Sequence, residues 1–171
     1  MKRLITGFAI GALALTLFVP QVSSNYAFAV ETGAAVVVKD GMVNGTPVDQ
    51  YILEEVANGR ELSEIVSKLI AGGASAGDVV KAAIKAGINP ATAAGVVTKA
   101  APDAATDIVT AAILAAAKSA LEITQAVINE APASQTEDIQ GFAVLTLQDM
   151  DPLTSQVLLQ RIENMFPASK S

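Results

Sequence analysis

Apolar residues recur through the middle of the chain at the spacing of amphipathic helices, and turn residues cut that run into short pieces. A nine-residue pattern displays it: LSEIVSKLI from Leu62, AGDVVKAAI from Ala76, AAGVVTKAA from Ala93, ATDIVTAAI from Ala105 and ALEITQAVI from Ala120. Positions 1, 4, 5, 8 and 9 are apolar in nearly every copy, which is one face of a helix. Thr124 is the clear exception. The copies start 14, 17, 12 and 15 residues apart. Two origins fit that irregularity: a decayed internal duplication, or alanine-rich composition alone, since 21 of the 61 residues in 71–131 are Ala.

Cap residues agree with the stripes. Thr46-Pro47-Val48-Asp49 reads as a helix start, with Thr46 as N-cap and Pro47 at the first helical position, and Gly59 as the stop. The next helix spans 61–71 and ends at Gly72-Gly73. Ser75 caps a third, with Asp78 as its capping-box acid and Gly87 as its end. Asn89-Pro90 opens a fourth, Ala101-Pro102-Asp103 closes that one and opens a fifth, and Pro132 ends the series. No Gly or Pro lies within 105–131, so one long helix kinked near Lys118-Ser119 is expected there.

The ends read differently. Residues 35–43 place Asp40-Gly41 between two β-prone runs, a hairpin signal. Residues 142–147 fit either a third strand or the start of another helix, and Asp151-Pro152 opens a terminal helix over 152–166. The expected fold is mainly α: a small bundle or irregular α-solenoid of short Ala-rich helices with an N-terminal β-hairpin. Its parts are a hairpin segment 30–45, a helical quasi-repeat region 46–132 and a C-terminal segment 133–171.

Residues 1–29 read as a secretory signal peptide. Lys2 and Arg3 form the basic start, residues 4–19 are uncharged and apolar, and Ala27-Phe28-Ala29 is an A-x-A cleavage site. Export to the periplasm or the extracellular space is the expectation, with the mature chain starting at Val30. That chain would hold 142 residues with a net charge of −8, keep only Tyr51, Phe142 and Phe166 as aromatics, and contain no membrane span.

Composition removes whole classes of chemistry. The chain has no Cys and no His. Disulfides, thiolate nucleophiles, Cys-based zinc sites and His-based triads are therefore impossible. Any metal would be a hard cation held by oxygens, and no metal site, cofactor site or catalytic residue is identified. A net charge of −6 and 4% aromatic content argue against nucleic acid as a partner.

Several local matches dissolve on inspection. Gly73-Ala74-Ser75-Ala76-Gly77 fits the G-x-S-x-G elbow, but that motif needs a preceding strand and a His partner. A Ser-Lys dyad would need Lys81 or Lys85, which fall on solvated helix faces. Asp149-Met150-Asp151 fails the calcium-loop test, with Thr154 where Gly is required and Gln160 where Glu is required. The pairs Glu54-Glu55 and Glu137-Asp138 are sequence neighbours and do not face each other on a helix.

One constellation remains. Glu64, Asp78, Asp107 and Glu122 share position 3 of the pattern, with Gly95 interrupting. Helices stacked in parallel register would align them as an acidic column. Acids in a first helical turn also offset the helix dipole, which alone accounts for them. The composition resembles that of alanine-rich helical repeat proteins exported by bacteria. The functional expectation is a non-enzymatic structural or protein-interaction protein that binds a protein partner or itself. The alternative is a small periplasmic carrier holding an apolar ligand between helices.

Overall fold

Two Asx-Gly turns open the fold. Asp40 and Gly41 take φ of 53° and 73°, and Asn44 and Gly45 take 51° and 87°. Positive φ at both central residues is what a type I′ hairpin turn demands, and Asx-Gly meets it at least cost. The result is a three-stranded antiparallel meander: β1 (Val38–Lys39), β2 (Met42–Val43) and β3 (Thr46–Pro47). The expected hairpin with Asp40-Gly41 at its tip is present, Val38 pairing with Val43 and Lys39 with Met42.

The third strand corrects the reading of Thr46 as a helix cap. Thr46 pairs with Val43 and Pro47 with Met42, so both are extended, and Pro47 is the residue that precedes the helix. Residues 142–147, the other candidate for a third strand, are helical. The computed structural model describes residues 36–150 together with 155–157, 160, 161 and 164. These belong to one compact unit, Ala35–Ser171. The expected signal peptide lies outside the described residues, as do both ends of the helix expected over 152–166, whose six described residues are helical.

Among the described residues, seven helices with both ends placed follow β3: α1 (Val48–Ala57), α2 (Leu62–Ala71), α3 (Ala76–Lys85), α4 (Pro90–Ala100), α5 (Ala105–Ala115), α6 (Ala120–Glu130) and α7 (Thr136–Met150). The first three joints are built alike. Gly59, Gly73 and Gly87 have φ of 80°, 97° and 89°. Each donates its N–H to the third residue back, and the next residue donates to the fifth back, as Gly73 to Ile70 and Ala74 to Leu69. This is the Schellman stop, which needs a left-handed residue and so selects Gly.

The later joints use alanine. Ala101 (φ −140°, ψ 70°) and Ala116 (φ −149°, ψ 63°) leave the helix in nearly the same way, and each is followed by one 3-10 turn, Pro102–Ala104 and Ala117–Ser119. The single long helix expected over 105–131 is therefore two helices. A continuous helix of that length would span about 40 Å at 1.5 Å per residue and carry half its apolar stripe past its neighbours. Folding back at Ala116 returns Ile123 and Val127 to the core that holds Ile108 and Ile113.

Helix starts fall at residues 48, 62, 76, 90, 105, 120 and 136, so the period is far more even than the apolar pattern alone suggested. From α2 to α6 the fourth, fifth and eighth residues are buried: Ile65, Val66 and Leu69 in α2, Val79, Val80 and Ala83 in α3, and so on to Ile123, Thr124 and Val127 in α6. The nine-residue copy placed at Ala93 was out of phase. Asn89 accepts hydrogen bonds from the Ala91 and Thr92 amides and starts α4 at Pro90.

Each helix packs most closely on the helix two places along: α1 on α3, α3 on α5 and α5 on α7, with α2 on α4 and α4 on α6. The odd helices form one layer and the even helices a second, joined by contacts between sequence neighbours such as α3 with α4 and α5 with α6. Small residues set the spacing within a layer. A Cβ on Gly77 of α3 would lie 3.4 Å from the Ala111 Cβ of α5, and one on Gly95 of α4 would lie 3.7 Å from the Ala126 Cβ of α6. Such contacts bring axes toward the low end of the ~8–10 Å range.

Candidate functional site

The four acids do not form one column. Asp78 and Asp107 sit on α3 and α5, neighbours in the odd layer, whereas Glu64 and Glu122 sit on α2 and α6 in the even layer. Helix α4 lies between those two and carries Thr92, not Gly95, at the matching third position. Stacking of alternate helices splits the set, because sequence-adjacent helices fall in different layers. All four side chains are exposed. The same register adds a residue the apolar pattern missed: Asp138 is third in α7 and follows Asp107 in the odd layer. Counting from each turn, not from the apolar stripe, would have found it.

Asp78 and Asp107 line one open groove of about 300 Å³ with Ser75, Lys81, Thr110 and Leu114. A second groove of about 310 Å³ lies on the other side of the α3 start, lined by Val38, Asp40, Gly41 and Val48 and again by Ser75 and Asp78. The polar groups between them are committed to each other. Ser75 Oγ donates to Asp78 Oδ2 at 2.7 Å, the Asp78 amide donates to Ser75 Oγ at 3.1 Å, and Lys81 Nζ donates to Asp78 Oδ1 at 3.1 Å. Ser75 is thus the N-cap of α3, as its spacing to Asp78 implied, and the G-x-S-x-G match sits on a helix–turn–helix joint with no strand before it.

Charge pairs lock neighbouring elements. Lys85 Nζ of α3 meets Asp49 Oδ2 of α1 at 2.8 Å, and Arg60 Nε meets Glu55 Oε2 at 2.7 Å. The Ser75 hydroxyl first, then Lys81, holds the Asp78 carboxyl below its ordinary 3.8. The Lys85 hydrogen bond does the same for Asp49. Burial, helped by the Glu55 charge, pushes the Tyr51 phenol up from 10.0. Among the described residues no group of three or more Asp or Glu side chains is placed to hold a metal ion.

These lowered carboxyls fix a pH dependence. A carboxyl held below its unfolded value adds stability that is complete above that value and is lost as pH falls through the lowered one. Asp49→Asn should therefore cost up to about 1 kcal/mol at neutral pH, the range of a partly exposed ion pair, and nothing once the pH has fallen below the lowered Asp49 value. Thermal melts of the two proteins across that interval test it; a gap that persists unchanged in strong acid would show that the charge pair is not its source.

The buried threonines are satisfied within their own helices. Thr98 donates to the Ala94 carbonyl at 2.8 Å and Thr124 to that of Ala120 at 2.7 Å. Gln140 Nε2 on α7 is the buried side-chain nitrogen without a hydrogen-bond partner among the described residues. No helix among the described residues is long and apolar enough to cross a membrane. No protein-family model, curated protein or solved structure matches the chain.

Proposed function

We propose that this is an exported, non-enzymatic protein-interaction or structural module built on single-helix repeats. The observation that carries the reading is the set of large apolar side chains on the outside of the stack. Leu53 on α1, Leu114 on α5, and Phe142 and Leu145 on α7 are each about half exposed or more. Phe142 and Leu145 lie three residues apart on one face of α7, and exposed apolar side chains grouped in this way mark association surfaces. The carrier alternative draws less support. The two grooves reach only the lower end of ligand-pocket volumes, and both are lined by Ser75 and Asp78, not by apolar side chains alone.

Native mass spectrometry of the protein from its own host tests this directly. The expected result is a chain that begins at Val30 and runs as a ligand-free oligomer or as a complex with a second protein. A reproducible small-molecule adduct on a monomer would overturn the reading in favour of the carrier. A mass that retains residues 1–29 would overturn export by cleavage.

A further inference from the structure

We infer that the outer face of α7 docks a helix of a partner protein, amphipathic and flanked by Lys or Arg. This rests on the interaction reading above and names its surface and partner chemistry. Asp138, Phe142, Leu145 and Asp149 fall at i, i+4, i+7 and i+11, a single stripe along the helix. All four are exposed, Phe142 at 48% and Leu145 at 58%. The opposite face buries Ile139, Ala143 and Leu147.

Gly141 says what kind of element fits. It is the sixth residue of α7, as Gly95 is the sixth of α4. At Gly95 the helix two places along packs close enough for a Cβ to touch Ala126. At Gly141 a Cβ would meet nothing within 4 Å. Among the described residues, the surface that receives the next helix elsewhere in the stack is thus open on α7, with Phe142 and Leu145 beside it.

Charge says whose helix it is. Helix α7 carries Glu137, Asp138 and Asp149 and no Lys or Arg. A second copy pairing α7 on α7 would oppose Asp138 to Asp149 or each to itself. A head-to-tail copy would meet α1, which has no basic residue of its own, whose Asp49 and Glu55 are already paired with Lys85 and Arg60, and on which Glu54 adds a further negative charge. Both arrangements juxtapose like charges, so complementarity selects a different protein with an apolar stripe bordered by cations.

The probe is a synthetic amphipathic Leu/Ala/Lys helix, offered to the full chain beside its scrambled isomer and its Glu-for-Lys analogue. Backbone amide shifts on titration should move along α7 and not on α1. Gly141→Leu should weaken binding about tenfold or more by filling the approach surface. Its melting temperature should hold or rise, because Leu favours helix over Gly. Asp138→Asn with Asp149→Asn should flatten the salt dependence. Equal binding of the scrambled peptide, shifts centred elsewhere, or self-association abolished by Gly141→Leu would each overturn the proposal. A natural protein complex that survives Gly141→Leu would overturn it while leaving the interaction reading intact; a small-molecule adduct with no peptide binding would overturn both.

Discussion

Ile108→Ala should destabilise the protein by about 2–5 kcal/mol, the range for truncating a fully buried Ile. Ile108 has no exposed surface and sits on α5, which packs on α3 and α7 in its own layer and on α4 and α6 in the other. A cavity there is bordered by both layers. The surrounding helices cannot close it easily, because alanine and glycine contacts already hold them near their closest approach. Against a total stability of about 5–15 kcal/mol for a domain, the loss is large. Leu114 on the same helix is the control. It is 54% exposed, and Leu114→Ala should cost no more than about 0.5 kcal/mol. Urea unfolding of both variants measures the contrast. Equal costs would mean that α5 does not present Ile108 to the core.

The second large effect is expected at Gly72, where addition of one methyl group should detach the β-meander. Gly72 has φ of −78°, a value any residue adopts, so its backbone does not require glycine. Space does. A Cβ on Gly72 would overlap the carbonyl oxygen of Val36, and the Val38 amide donates to the Gly72 carbonyl at 2.9 Å. Gly72→Ala must push the segment 36–38 away and break that bond, at about 1–3 kcal/mol. Hydrogen exchange locates the damage. Protection should fall at Val38 and through β2 and β3 while the amides of α4 to α6 keep theirs. An alanine variant with full protection at Val38 would disprove the docking. At neighbouring Gly73 the constraint is the reverse: φ is 97° and nothing crowds it, so any substitution there is strained by the backbone itself.

That pair of glycines marks the boundary of what was legible. Gly72-Gly73 reads in the sequence as a helix stop, and it is one, but only Gly73 performs that role. The task of Gly72 depends on a strand segment brought in from residues 36–38, which no local pattern reveals. The same holds for Asn44-Gly45. It carries the turn signal already recognised at Asp40-Gly41, yet it precedes Thr46-Pro47, which resembles a helix start. Pairing of β2 with β3 decides between these readings in favour of the turn.

Phase in α4 was lost for a related reason. Ala91, Ala93 and Ala94 make nearly every face of that helix equally apolar, so the stripe does not fix a register. The Asn89 cap does, because a side-chain oxygen bonded to the Ala91 and Thr92 amides starts the helix at one residue. The acidic set depended on that register. Counting from caps places Asp138 in line with Asp78 and Asp107 and leaves Glu64 and Glu122 on the other layer.

What the sequence determined by itself is the local grammar: the first four helices, their Gly and Asx punctuation, the first hairpin, and the exclusion of His and Cys chemistry. Each of these rests on interactions spanning five residues or fewer, so the residues that cause them are adjacent in the chain. The tertiary structure decided the break at Ala116, the third strand, the sorting of alternate helices into two layers, and the open face of α7. Alanine and glycine leave those choices undetermined locally, since neither has a side chain that prefers one partner. They follow only when Ile, Leu and Val from every helix must share one core.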